Sequence, residues 1–211
     1  ASDVYKRQFK KLTPVDPNST NPYQLTEADR TVIGNTTPKF SGGFGLNATY
    51  KGFDLSMFFS YMYDFDVLNA NKIMLTTWAD NKDNNFLMDI ASDKRWRNFD
   101  DMGNEIRYSP EILAEFNKDA TMWNPTSIGR PISMSYAVED GSFLRLSSAT
   151  FGYTLPVAWT RKVGLNKVRF YVSGNNLFVL TGYSGYDPEV NIATGLTPNI
   201  DYNRYPRSRT Y

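Results

Sequence analysis

Between Phe53 and Phe65 the odd positions Phe53, Leu55, Met57, Phe59, Tyr61, Tyr63 and Phe65 form an apolar row. The even positions include Asp54, Ser56, Ser60 and Asp64, with Asp66 just beyond. Successive side chains of an extended chain point to opposite faces, so this spacing predicts one long β-strand with an apolar and a polar face. Twelve steps from 53 to 65, at about 3.3 Å each, span roughly 40 Å, or roughly 28 Å when tilted near 45°. Globular strands average about 5–6 residues, whereas the apolar band of an outer-membrane barrel is about 25 Å tall. A charge facing lipid near the midplane costs about 2–4 kcal/mol, and the odd row has none. Phe53 at one end and Tyr61, Tyr63 and Phe65 at the other suit the interfacial girdles. These seven side chains are the expected lipid-facing set. A long strand of a soluble sandwich is the alternative that periodicity alone leaves open.

The same period recurs. Phe40, Gly42, Phe44, Leu46, Ala48 and Tyr50 share one face of a strand that precedes Lys51-Gly52, a dipeptide suited to a tight hairpin turn. Residues 143–155 alternate with Ala149, Phe151, Tyr153 and Leu155 on one face, but Leu144 and Leu146 have the opposite parity. A bulge near Ser147-Ser148 reconciles the two phases. Val168, Phe170, Val172, Phe178 and Leu180 share the even face of a further strand. Residues 9–39 hold Pro14, Pro17, Pro22 and Pro38 among Asn, Thr and Asp and read as a loop. The glycines of Gly42-Gly43-Phe44-Gly45 lie inside an alternating strand and read as sites of curvature or close approach, not as a phosphate loop.

Barrels of the outer membrane have short periplasmic turns and long extracellular loops. Lys51-Gly52 and residues 156–167 are then periplasmic, and residues 67–140 and 182–203 extracellular. A connection as long as 67–140 should contain local structure. Phe86, Leu87 and Ile90 fit a helical face, and Ser109 is placed to cap a turn starting at Pro110 with Ile112, Leu113 and Phe116 behind it. Trp78, Trp96, Trp123, Tyr183 and Tyr186 fall in these loops and are the candidate substrate or partner contacts, with packing inside the loop as the alternative for each. The carboxylate pairs Asp100-Asp101 and Asp187 with Glu189 read as solvated loop groups. So does Asp80-Asn81-Lys82-Asp83-Asn84-Asn85, which lacks the central glycine and distal glutamate of a calcium loop.

Composition narrows the chemistry. The chain has no histidine and no cysteine, which removes the commonest general base, the commonest zinc ligand and any thiolate site. No catalytic residue, cofactor or metal is expected. With 23 Lys and Arg against 22 Asp and Glu, the net charge of +1 offers no attraction to nucleic acid. Aromatic residues make up 15% of the chain, yet mean hydropathy is −0.47, so polar and aromatic residues must be interleaved. The longest apolar run, Leu177-Phe178-Val179-Leu180, is far short of the ~20 residues of a membrane helix. Asp3-Val4-Tyr5-Lys6-Arg7-Gln8 resembles the translation of a sequencing-library adapter, so residues 1–8 are expected to be an artefact and both termini to be breaks.

Six stretches, in order, carry a resemblance to a known family. They are Asp29-Arg30-Thr31-Val32-Ile33-Gly34-Asn35-Thr36-Thr37-Pro38, Tyr50-Lys51-Gly52-Phe53-Asp54-Leu55-Ser56, Val138-Glu139-Asp140-Gly141-Ser142-Phe143-Leu144-Arg145-Leu146, Ser173-Gly174-Asn175-Asn176-Leu177, Gly185-Tyr186-Asp187-Pro188-Glu189-Val190 and Tyr205-Pro206-Arg207-Ser208-Arg209. Together they resemble the C-terminal barrel of the SusC/RagA family of TonB-dependent outer-membrane transporters of Bacteroidota. The resemblance implies an all-β fold: residues 40–211 as an antiparallel stretch of a large transmembrane β-barrel, without its plug and final strand, with long, partly helical extracellular loops. It implies a location in the outer membrane and contact with its lipid. It also implies a SusD-like surface lipoprotein, the TonB complex acting through a missing N-terminal part, and import of a glycan or peptide. A passive or adhesive barrel and a secreted carbohydrate-active β-sandwich are the competing classes.

Overall fold

A computed structural model describes residues 13–14, 27–77, 85–90, 94–124, 134–190 and 198–211. The chain divides into two compact units. One comprises residues 34–69 and 135–211, the other residues 1–33 and 70–134. Residues 1–8 and Trp78, together with residues 80–84 of the acidic loop, lie outside the described residues.

The first unit is built on the alternating strands. β1 (Phe40–Tyr50) and β2 (Phe53–Tyr63) form a hairpin in which Tyr50 faces Phe53 across two turn residues. Lys51 and Gly52 both take positive φ, 47° and 91°, the geometry whose twist matches the flanking strands. A Cβ on Gly52 would stand 2.8 Å from the Thr154 carbonyl oxygen, so the turn needs glycine there. β5 (Phe143–Thr154) pairs antiparallel with β2, and β6 (Arg169–Thr181) with β5, giving an open sheet ordered β1-β2-β5-β6.

Register carries the uncharged face across all four strands. Phe44 lies opposite Phe59, Leu46 opposite Met57 and Ala48 opposite Leu55. Leu55 in turn faces Phe151, and Phe151 faces Val172. Ring contacts mark this face: Phe44 stacks on Phe59 with centroids 4.9 Å apart, and Phe53 meets Tyr153 at 4.4 Å. The phase conflict in β5 resolves as the sequence predicts. Register shifts at Ser147, so Leu144 and Leu146 face Tyr61 and Phe59 while Ala149 and Phe151 face Met57 and Leu55. β6 answers with its own irregularity at Asn176, which has φ 53°.

The opposite face carries the charges. Asp54 on β2 and Arg169 on β6 reach across β5 in a two-pronged ion pair, Nε to Oδ1 at 3.0 Å and Nη2 to Oδ2 at 2.5 Å. They meet over Gly152, where a Cβ would lie 2.5 Å from the Arg169 Nη2, so a side chain there is incompatible with the pair. The face is not uniformly polar: Phe58 lies opposite Gly45, and Met62 packs at the core.

That core corrects one sequence expectation. Phe65 is 2% exposed and does not belong to the outward row. β2 ends at Tyr63, and Asp64 takes φ 58°, a left-handed step that short polar side chains tolerate. The step breaks the alternation and sends Phe65 into a cluster with Val67, Phe143, Tyr183 and Val190, backed by Met62 and Val179. Beyond it a small sheet forms that periodicity does not predict, with β3 (Asp66–Asn69) between β4 (Val138–Asp140), antiparallel, and β7 (Ile200–Asp201), parallel.

The second unit holds the expected helix after Ser109, one unexpected short helix, and only a 3-10 turn where Phe86, Leu87 and Ile90 suggested a helical face. α1 (Ala70–Met74), a 3-10 turn at Met88–Ile90 and α2 (Pro110–Phe116) break up the long connection. Ser109 occupies the N-cap position of α2 but makes no side-chain cap hydrogen bond, contrary to the expectation of a cap. α2 is instead fastened at its other end by the buried Asn117. That side chain accepts from the Arg97 amide at 2.6 Å and donates to the Arg97 and Leu113 carbonyls at 2.9 and 2.8 Å. Among the described part of residues 9–39 there is a 3-10 turn at Glu27–Asp29 and no strand.

Truncating Phe65 to Ala removes the centre of the cluster and should cost about 3–5 kcal/mol locally. Hydrogen exchange is expected to accelerate in peptides covering residues 64–69 and 138–145, with a smaller change in Phe65→Leu.

Candidate functional site

A cluster of buried charges in the first unit sits where β5 meets the loop that follows β6. Arg145 lies opposite Ser60 on the charged face, and almost all of its side chain is buried. An unpaired guanidinium at such depth is strongly unfavourable, so carboxylates must come to it. Asp187-Pro188-Glu189 supplies them. The fully buried Pro188 fixes φ, and the Glu189 amide donates back to Asp187 Oδ1 at 3.0 Å, which holds the two carboxylates together. Arg145 Nη2 donates to Asp187 Oδ1 at 2.6 Å, and its Nε stands 3.3 Å from Glu189 Oε2. That second contact is an ion pair without hydrogen-bond geometry. Arg207 closes the group, its Nη2 donating to Glu189 Oε1 at 2.5 Å. Two cations and two anions cancel, and the Arg145 guanidinium also lies 5.5 Å from the Phe143 ring centroid.

The cluster joins three distant pieces of chain: β5, the loop after β6, and the segment around Arg207. A second set of bonds supports it. Tyr183 donates its hydroxyl to Asp201 Oδ2 at 2.6 Å. Burial, followed by that carboxylate, pushes the phenol well above its ordinary pKa and keeps it a donor. Glu139 accepts from the Ser184 amide at 2.9 Å and its hydroxyl at 2.8 Å, and Asn199 donates to the Thr36 carbonyl at 2.7 Å. Chemically this arrangement fixes a loop against a wall.

The loop aromatics do not behave as a set. Tyr183 and Trp123 are buried and are corrected from candidate contacts to packing residues. Trp96 is half-buried and lines an open cleft of about 420 Å³ with Asn98, Arg107, Tyr108 and Leu113, its Nε1 donating to Asn98 Oδ1 at 3.3 Å. Tyr186 is 83% exposed beside the buried cluster. Asp187 and Glu189, expected to be solvated, are instead the anions of that cluster. Asp100 closes a turn, accepting from the Met102 and Asn104 amides and the Asn104 side chain. The Asn104 bonds hold its carboxyl below the usual range. Asp101 pairs with Arg97 at 2.7 Å. Among the described residues, no group of three or more carboxylates is arranged to hold a metal ion.

Sequence reading misses Arg145 and Arg207. The available signal is a lone cation inside an alternating strand and two carboxylates two residues apart around a proline.

Long antiparallel strands with one uncharged face, a short-turn end and a loop-rich end define the architecture of an outer-membrane β-barrel wall. No family model matches the chain. It is 34% identical over 194 residues to TonB-dependent receptor P3 of Formosa agariphila, covering 89% of this chain and 17% of that protein. It is 28% identical to TonB-dependent receptor P39 of the same organism, over 84% of this chain and 16% of that protein. TonB-dependent receptor SusC of Bacteroides thetaiotaomicron is 35% identical over 78 residues, 36% of this chain and 7% of that receptor. Among solved structures, the RagAB peptide importer in its closed-closed state superimposes with a TM-score of 0.67 at 23% identity, over 88% of this chain and 18% of that one. The open-open state gives 0.62 at 24% identity, over 92% and 19%. The chain is a segment of a SusC/RagA-type TonB-dependent receptor, a class of outer-membrane proteins that are not enzymes. It spans about one sixth of the length of the curated relatives P3 and P39.

Arg145→Met leaves the buried Asp187 without its cation, a loss of about 3–5 kcal/mol, while Glu189 keeps Arg207. Cleavage after Glu189 by a glutamate-specific protease is expected to accelerate strongly in the full-length receptor. Arg207→Gln, which removes a half-exposed partner, should change the rate much less.

Proposed function

We propose that this chain forms part of the wall of an importer barrel, with the uncharged face of β1, β2, β5 and β6 against lipid hydrocarbon. The observation that carries the reading is the register of the four strands. It brings Phe53, Leu55, Met57, Phe59, Tyr61 and Tyr63 into one charge-free surface with the facing residues of their neighbours, while Asp54, Arg145 and Arg169 lie on the other side. In this reading the lumen is on the charged side, the short turns are periplasmic and the long connections extracellular. The barrel is completed by strands beyond this chain.

The relatives are TonB-dependent receptors, and the solved neighbours are structures of the RagAB peptide importer. On that basis the whole protein takes up a glycan or peptide with energy delivered through TonB, and a SusD-like lipoprotein covers its outer face. Of the candidate loop aromatics among the described residues, Tyr186 and Trp96 are the two exposed enough to touch cargo or that partner.

Met57→Arg and Phe59→Arg in the full-length receptor each place a cation in lipid at about 2–4 kcal/mol. The yield of folded barrel in outer-membrane fractions is expected to drop sharply for both, while Ser56→Arg on the charged face assembles normally. Ser60 is an unsuitable control, because its hydroxyl bonds Ser147 and it lies opposite Arg145. Equal yields for all three variants would refute the lipid-facing assignment. A tagged receptor that purifies without any surface lipoprotein would point to a passive or adhesive barrel.

A further inference from the structure

The connection from β5 to β6, residues 156–168, has a chemistry that transport leaves unused. After Pro156 the chain forms α3 (Val157–Thr160) and then a 3-10 turn at Arg161–Val163. The turn is internally bonded: the Trp159 amide donates to the Pro156 carbonyl at 2.9 Å, that of Gly164 to Arg161 at 3.1 Å and that of Leu165 to Thr160 at 3.0 Å. Thr160 is buried within it. Yet Trp159 is 61% and Val163 72% exposed, with Val157 and Leu165 half-exposed beside them. An ordered turn presenting a tryptophan and three aliphatic side chains marks a contact surface.

The charges of the same segment are one-sided. Arg161, Lys162 and Lys167 are basic, and residues 156–168 contain no acid. Lys167 acts electrostatically on Asp54, which is itself paired with Arg169. Arg161 and Lys162 are exposed and have no ion-pair partner among the described residues. The turn is also continuous with the uncharged face of the sheet. The Leu155 amide donates to the Val168 carbonyl at 2.9 Å, and these residues continue the parity of Tyr153 and Phe170. Tryptophan settles at the boundary between hydrocarbon and headgroups, and Lys and Arg just beyond it attract anionic lipid.

We propose that residues 157–167 are an interfacial anchor that binds anionic phospholipid in the leaflet at the short-turn end of the barrel. Trp159, Val157, Val163 and Leu165 seat at the acyl boundary, and Arg161 and Lys162 hold the phosphate groups. The inference rests on the lipid-facing reading of the sheet, and the test separates the two.

The full-length receptor is reconstituted in vesicles of phosphatidylethanolamine with and without phosphatidylglycerol, some carrying bromine on the acyl chains. The emission lost in Trp159→Phe reports Trp159, and the emission gained in Phe151→Trp reports the sheet face. Bromolipid quenching of both reporters is expected, together with tighter association of phosphatidylglycerol that weakens by about fivefold for each of Arg161→Gln and Lys162→Gln. That factor corresponds to about 1 kcal/mol per basic residue. Quenching of Trp159 by aqueous iodide alone, with the Phe151→Trp reporter still quenched by lipid, would overturn the anchor and leave the wall reading standing. Failure of lipid to quench either reporter would overturn both. Lipid quenching with unchanged phosphatidylglycerol preference in the glutamine variants would overturn the anionic specificity.

Discussion

The four-stranded sheet depends on keeping one of its surfaces free of charge over strands of eleven to thirteen residues. A single inserted residue inverts every later side chain, so phase must be conserved or repaired. The repair is visible where β5 gains Ser147 relative to β2, and β6 is irregular in turn at Asn176. Without these two local offsets, Ala149, Phe151 and Tyr153 would share a side with Arg145. Bulges of this kind also increase twist, which a curving wall requires.

The charged side obeys a different rule. There the sequence is free to place Arg145, Asp54 and Arg169, provided each finds an opposite charge. Asp54 and Arg169 find one another across an intervening strand, over a glycine. Arg145 is met by a loop, which is how the irregular chain after β6 acquires a fixed position. Packing of Phe65 and Tyr183 against Phe143 uses the same loop, so apolar burial and ion pairing reinforce one placement.

How much of this is legible in the sequence depends on range. The hairpin at Lys51-Gly52, the long alternating strands and the offset at Ser147 are written in neighbouring residues, within reach of a local pattern. Phe65 escapes such a pattern because the left-handed step at Asp64 is one residue of backbone that parity counting cannot see. Asp187 and Glu189 look solvated because their cations stand 42 and 18 residues away, and no local pattern links them. Tyr183 and Trp123 show the same gap: a loop aromatic reads alike in sequence whether it faces outward or inward.

The small sheet of β3, β4 and β7 unites residues 66–69, 138–140 and 200–201, including a parallel pairing of Leu68 with Ile200. Closing chain segments of that separation early would be entropically expensive, and such non-local pairings form slowly. In the wall reading proposed above, this small sheet therefore forms late, after β5 and β6 have drawn its pieces together. A receptor halted before that point would have its staves in place and its mouth still unformed.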